Sequence, residues 1–339
     1  MKFDYAIGNP PYNLESTGAN ESDTPLYHYF YDAAFMIAKK VELITPARFL
    51  FNAGYTPKNW NEQMLSDCHF KVLHYEPKSD KIFANTDIKG GVAITYRDTE
   101  KDFGAIEAFT AYDELNSIKN KVESHKEESL SNVITNRGLY RYSSTAYRDE
   151  PTEMKKTADA RIAPSSFERM PLLFTDQKPA DNHEYIQILG IIKGERFYKW
   201  FRKDYVKEVD NLYKYKVLIP KANGSGTFGE TLSTPLIGAP FVGFTETFLS
   251  IGATDKKEEA EATLKYIKTK FARTMLGILK VTQNNAKPTW KFVPLQDFTP
   301  NSDINWLASI HDIDQQFYKK YGLSQQEIDF IESHVKEMA

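Results

Sequence analysis

The four residues Asn9-Pro10-Pro11-Tyr12 are the part of this chain whose types and spacing could do chemistry. The Asn9 side-chain oxygen and the Pro10 carbonyl are two hydrogen-bond acceptors, and the stiff Pro-Pro backbone holds the second in place. Two converging acceptors suit a planar amine such as the exocyclic amine of adenine, whose lone pair is delocalised into the ring. Accepting a hydrogen bond from each N–H localises that pair and stabilises the positive charge that develops as nitrogen attacks a methyl sulfonium in line. No acid or base need remove a proton first. Tyr12 adds a face on which a base can stack after leaving a duplex, a step that costs a few kcal/mol. Residue usage makes a prespecified tetrapeptide of this kind a chance event in about one chain in a thousand of this length, so a plain rigid turn is the poorer account of it.

Such a loop needs an element to carry it. Phe3 to Gly8 is an apolar run that reads as a strand, and the paired prolines cannot continue it, so the loop sits at the strand's C-terminal end. The polar stretch Glu15 to Thr24 is expected to be mobile. Leu26 to Lys39 then has helical spacing, with Tyr27, Phe30, Tyr31, Ala34 and Phe35 on one face. Val41 to Thr45, Lys71 to Tyr75 and Gly91 to Tyr96 read as further strands, with a helix near Asn59 to Ser66 and a surface loop over Lys81 to Ile88. This alternation predicts an α/β layout. In open α/β sheets ligands bind at the carboxyl ends of strands, so the loops after Gly8 and before Gly91 share a crevice only if the sheet brings them together.

With the strand before it, Asn9-Pro10-Pro11-Tyr12 resembles the catalytic motif of the amino-methyltransferases that modify adenine N6 in restriction–modification systems. That resemblance implies a partial Rossmann-like methyltransferase sheet, S-adenosyl-L-methionine as cofactor, and double-stranded DNA with a flipped adenine as substrate. It also implies a second stacking face from a loop before a late strand, which falls on Phe83 of Ile82-Phe83, ahead of Gly90-Gly91-Val92-Ala93-Ile94. Trp290 to Leu295 and Ile313 to Leu323 are similar to the end of a target-recognition domain in large methylases of this kind. The family places a glycine-rich cofactor loop and an acidic residue for the ribose before the motif, where this sequence has eight residues. The expected organisation is therefore 1–101 as the C-terminal half of a catalytic domain, 102–300 as an α+β target-recognition domain, and 301–339 as a helical tail. The cofactor pocket is expected to be incomplete, its other half coming from a second chain or an upstream segment. The alternative is a non-catalytic DNA-recognition subunit that depends on a partner. A sheet lacking strands would leave an exposed edge and an apolar face, which predicts self-association.

Within 102–300, Lys216 to Pro220 and Pro240 to Phe244 read as strands, and Lys256 to Leu279 as one helix. The loop Lys221-Ala222-Asn223-Gly224-Ser225-Gly226 is either a flexible hairpin or a DNA contact through Lys221, Asn223 and backbone N–H groups. As a permuted cofactor loop it fits poorly, because no helix opens behind it. Lys280, Gln283, Asn284, Asn285 and Lys287 form a second polar cluster, with donors suited to base edges and phosphates. Asn116 to Ser131, rich in Lys and Glu, reads as a solvated helix face. Toward the end, Ser324 and Glu327 form a capping box after a break at Gly322.

Composition sets the outer limits. The chain has 339 residues, 41% hydrophobic and 14% aromatic, enough for a large core and about two domains. One cysteine, Cys68, forms no internal disulfide framework, and the seven histidines show no metal-ligand spacing, so no metal is expected. No apolar run reaches membrane-span length and no secretion signal opens the chain, so a cytoplasmic location is expected. A net charge of −3 says little about DNA, which is met by local basic surface.

Overall fold

Phe3–Gly8 forms strand β1 as the apolar run predicts, and the chain leaves it at the prolines. The computed structural model describes residues 3–14, 24–51, 55–86, 88, 90–280 and 283–338. Glu15 to Thr24, expected to be mobile, lies outside the described residues except for Thr24. The chain divides into two units, residues 1–116 and 117–339.

In the first unit a two-residue ladder, β2 (Asn13–Leu14) with β3 (Thr24–Pro25), leads into helix α1 (Tyr27–Ile37). Strand β4 (Ala38–Pro46), helix α2 (Lys58–Ser66), and strands β5 (Phe70–Glu76) and β6 (Val92–Asp98) follow. The sheet order is β1-β4-β6-β5. β1 is parallel to β4, and β6 is antiparallel to both β4 and β5. Thus β1, β4 and β5 run one way and β6 the other.

One face of this sheet is packed. Val41, Leu43 and Ala93 project from it against Tyr27, Tyr31 and Ala34 of α1, with Phe49, Trp60 and Phe70 filling the rest of the core. Burying Phe49 and Phe70 contributes about 1.5–3 kcal/mol each. The Tyr31 hydroxyl is hydrogen bonded to Thr45 Oγ1 at 3.0 Å and Thr95 Oγ1 at 2.6 Å, so the helix is keyed to two strands by one buried polar group. Trp60 Nε1 donates to Asp32 Oδ1 at 2.9 Å and ties α2 to α1. The buried stripe of α1 is Tyr27, His28, Tyr31 and Ala34, and Phe30, expected on it, is exposed. The aromatic spacing alone did not reveal that His28 takes the inward place beside Trp60.

β1 is an edge strand. Its odd residues Phe3, Tyr5 and Ile7 are 51%, 60% and 75% exposed, on the face away from Ala6 and the core. One edge of β1 and this face are left unpaired and uncovered among the described residues.

The second unit holds α3 (Asp113–Ser124), which begins before its boundary, short helices α4 (Ser144–Asp149), α5 (Pro151–Met154) and α6 (Ser166–Arg169), and the hairpin β7 (Tyr185–Ile192) with β8 (Glu195–Arg202). β9 (Tyr215–Pro220), β10 (Leu236–Gly238), β11 (Val242–Phe244), β12 (Phe248–Thr254), α7 (Lys257–Lys268), α8 (Lys270–Gly277), α9 (Ile310–Lys320) and α10 (Gln325–His334) complete it. Two three-stranded sheets form, β10-β9-β12 and β11-β7-β8. Val217, Leu218 and Ile219 are fully buried, as a continuous apolar run in a central strand requires.

The helix expected over Lys256 to Leu279 is two helices. Thr269 breaks it with ψ 149°, and its side chain caps α8 by accepting from Ala272 N at 3.1 Å. The α3 segment, expected to be solvated, buries Leu115, Ile118, Lys119 and Val122 and exposes its other face. The capping box of α10 is present with both of its hydrogen bonds. Residues 301–339 group with 117–300: Asp314 of α9 accepts from the backbone of Lys270 and Phe271 at the start of α8. Among the described residues no helix is long and apolar enough to cross a membrane.

Candidate active site

The Asn9–Tyr12 loop is held at both ends. Gly8 anchors it to the sheet beside Leu43, and the Tyr12 carbonyl accepts from Leu26 N at 2.8 Å at the entry to α1. Asn9 and Pro11 are exposed, while Pro10 and Tyr12 are half-buried. The Tyr12 hydroxyl itself is buried; that burial pushes its pKa up, and the neighbouring Asn9 side chain draws it part of the way back.

Phe83 lies in the connection from β5 to β6, in which Glu76 stands opposite Val92. Val92 stands in turn opposite Pro46 at the exit of β4, and β4 runs parallel to β1. The Asn9–Tyr12 loop and the Phe83 loop therefore leave the sheet at the same end, on either side of the β4 exit. This is the juxtaposition on which a shared crevice depends.

The Phe83 loop is built rather than slack. Ser79 Oγ donates to Thr86 O at 3.1 Å and accepts from Ile88 N at 2.8 Å, and Thr86 Oγ1 donates to Phe83 O at 2.8 Å. The Phe83 N–H donates to Ser79 O at 2.8 Å. Gly91 closes the loop with φ 76°, where a Cβ would come within 2.4 Å of Glu76 O, and its carbonyl accepts from Ala47 N at 3.0 Å. That bond ties the loop to the β4 exit. Phe83 is half-buried in this setting.

The two polar clusters of the second unit come together but do not face outward as a whole. Ala222 and Asn284 form an antiparallel bridge, Asn223 N donates to Gln283 O and Asn285 N to Lys221 O, each at 2.8 Å. Asn223 and Lys280, expected to meet DNA, are only 2% and 5% exposed. Asn223 donates to Thr231 O at 3.1 Å and accepts from Ser233 N, while Lys280 Nζ donates to Asn223 O at 2.9 Å and to the Glu230 carboxylate. Their polarity is used inside the unit, because a buried amide or ammonium must find partners there. Gln283 and Asn284 are exposed, and Lys221 and Lys287 are half-buried.

The glycine loop is likewise occupied from within. Glu230 accepts from Ser225 N at 2.8 Å and Gly226 N at 3.1 Å, so backbone donors suited to a phosphate already hold a carboxylate. Burial works to raise the Glu230 pKa, but Lys280 and these N–H groups outweigh it and hold the carboxyl below its ordinary value. The loop does not fit a cofactor phosphate or carboxylate.

Residues 1–83 match the family model described as Eco57I restriction-modification methylase. The matched segment contains the Asn9–Tyr12 loop and ends on Phe83, so this part of the chain is similar to a methyltransferase. Among solved structures the chain is similar to the type IIG restriction endonuclease BpuSI, at 10% identity and a TM-score of 0.35 over 98% of this chain and 53% of that one. It is also similar to MmeI, a type IIL restriction-modification enzyme solved in complex with DNA, at 9% identity and a TM-score of 0.33 over 97% and 56%. The chain spans about half the length of these enzymes. No curated protein matches it.

Sequence reasoning missed Ser79 and Thr86, which shape the Phe83 loop, and Thr45 and Thr95, which hold α1 through Tyr31. Small hydroxyl residues in a polar loop or strand carry no spacing signal. The glycine pair Gly90-Gly91 was the one visible hint of a tightly closed turn.

Proposed function

We propose that the chain is the catalytic-motif and DNA-recognition portion of a site-specific DNA adenine-N6 methyltransferase of a restriction–modification system, acting in the cytoplasm. The observation that carries this reading is the common sheet end of the Asn9–Tyr12 and Phe83 loops within the methylase-like segment 1–83. Asn9 Oδ1 and the Pro10 carbonyl accept the two N–H groups of a flipped adenine, Pro11 stiffens the loop, and Tyr12 and Phe83 stack on the base. In this reading the sheet is part of a Rossmann-like methyltransferase sheet, 102–300 recognises the DNA target, and 301–339 is its helical tail. Gln283, Asn284, Lys221 and Lys287 contact DNA at the rim of the second unit.

S-adenosyl-L-methionine is the methyl donor that such a reaction uses. The glycine loop Asn223 to Thr227 is filled by Glu230, so the donor pocket is not supplied there. A second reading, a recognition subunit that works with a partner chain, is favoured by the edge of β1 left unpaired among the described residues and by the exposure of Phe3, Tyr5 and Ile7. The same surface favours self-association in its absence.

Calorimetric titration of S-adenosyl-L-methionine into the chain, with and without an adenine-containing duplex pool, tests both readings. Methyl-transfer assay of wild type and Asn9→Ala follows. Binding with transfer that Asn9→Ala abolishes supports a working methylase. Salt-sensitive DNA binding without cofactor binding supports the partner-dependent subunit, and absence of both defeats the proposal.

A further inference from the structure

The β7–β8 hairpin carries two features that its own packing does not explain. The first is its tip. Lys193-Gly194 forms the two-residue turn, with φ of 50° and 88°. A hairpin turn with two positive φ values favours Asn, Asp or Gly at its first place, because a Cβ there crowds the following carbonyl, which glycine avoids and Asn and Asp offset with a local hydrogen bond. Lysine is a poor structural choice at that position. It does put an exposed ammonium at the extreme end of the ribbon, where nothing lies within 4 Å of a Cβ built on Gly194.

The second feature is a pair of adjacent exposed aromatics just behind that tip. Phe197 and Tyr198 are 38% and 42% exposed and, as neighbours in a strand, project to opposite faces. Further along the same strand Phe201 is fully buried, and Lys199 pairs with Asp176. The strand therefore runs from the core to a free aromatic end. Arg196 anchors the ribbon, donating from Nη2 to Ser233 O at 3.0 Å with its guanidinium over the Phe248 ring at 5.5 Å. The free end thus carries Lys193 and Arg196 against one acid, Glu195.

We infer, resting on the DNA-methylase reading above, that this hairpin is a DNA-contacting ribbon whose Lys193 meets a phosphate and whose Phe197 and Tyr198, one on each face, press against nucleotides on the two sides of the groove it enters. A two-stranded ribbon is narrow enough to enter a groove of duplex DNA. Apolar side chains inserted from the minor groove partly unstack base steps and kink the duplex. The cationic tip matches the phosphate backbone in charge, and a lysine held in an unfavourable conformation at an unpacked tip points to contact beyond the chain.

The test is fluorescence anisotropy of the full chain with a labelled mixed-sequence duplex across a salt series, with end-to-end energy transfer in the same duplex to report bending. Lys193→Asn relieves the turn and removes the charge. It is expected to weaken binding several-fold and to lower the salt slope by about one. Phe197→Ala with Tyr198→Ala is expected to weaken binding tenfold or more, to leave the salt slope unchanged, and to reduce bending. Circular dichroism melts of each variant confirm folding, and photocrosslinking of Tyr198 to iodouridine-substituted duplex gives a readout on the wild-type chain itself. Wild-type affinity, slope and bending in both variants, with no crosslink at Tyr198, overturns the inference and leaves the methylase reading standing. A wild-type chain that binds no duplex even at low salt overturns both.

Discussion

Two asparagines, each just past the end of a strand, show how differently the two units treat the same chemistry. Asn9 follows β1, is exposed, and has the Tyr12 hydroxyl as a neighbour. Asn223 follows β9, is buried, and has its carbonyl and amide ends engaged with Ser233 and Thr231. Both stand in polar, loop-forming sequence and both read as ligand contacts. What separates them is the surrounding depth: the second unit closes over its loop with Lys280 and Glu230, whereas the first leaves its loop at an open sheet end. An exposed asparagine at a sheet's exit is available for a substrate; a buried one with both ends of its amide engaged is part of the scaffold.

Breaking the scaffold side of this contrast gives the largest expected effect. Lys280→Met removes the cation beside the mostly buried Glu230 carboxylate, and chemical denaturation is expected to show a loss of about 3–5 kcal/mol. Duplex binding below the melting range is expected to be unchanged; a binding loss without a stability loss would return Lys280 to the interface. Asn9→Ala has the opposite signature. Methyl transfer, measured in whatever assembly supports it, is expected to fall about 100- to 1,000-fold at an unaltered melting temperature.

A third prediction concerns another buried cation of the second unit. Lys216 is 1% exposed, with Nζ donating to Asn211 O at 3.0 Å and Ala239 O at 3.2 Å, and burial pushes its pKa from 10.5 down to about 7. Between those values the unfolded chain holds a proton that the folded chain has released. Wild-type stability, relative to Lys216→Met, is therefore expected to rise by about 1.4 kcal/mol per pH unit from pH 7 to 10.5. Denaturant titrations at four pH values would show it, and a flat difference would mean that the ammonium stays charged. The smallest effect is expected for Ser79→Ala, which loses the hydroxyl's hydrogen bonds to Thr86 O, Thr86 Oγ1 and Ile88 N and costs about 1–2 kcal/mol. Proteolysis should become faster within residues 79–88, with little change elsewhere.

Much of the first unit was legible in the sequence because its signals are local. Phe3 to Gly8 is a strand bounded by prolines, and the helices and strands through Asp98 follow apolar periodicity that the packed sheet face enforces. The common sheet end of the two loops was not legible, since it depends on β4 lying between β1 and β6, a pairing with no local trace. The burial of Asn223 and Lys280 in the second unit was not legible for a related reason. Residue type shows that Asn223 and Lys280 can donate, and only the fold shows that Thr231 and Glu230 are already there to accept. Thr269 likewise looks unremarkable inside a helical pattern, yet its hydroxyl starts a new helix.

The hydrogen bonding of β1 has a kinetic side. Among the described residues its one ladder is to β4, and the paired residues, such as Phe3 and Ala38, lie far apart in sequence, so the cost of closing that loop leads us to expect this strand to dock after α1 and β4 have formed. The same single ladder sets how easily it comes away. Amide hydrogens of residues 3–8 should exchange through local opening well before those of β6, which is bonded on both sides. The candidate catalytic loop therefore rides on an edge strand of its sheet, and whatever pairs with the edge of β1 left open among the described residues would slow that opening and steady Asn9 in the same act.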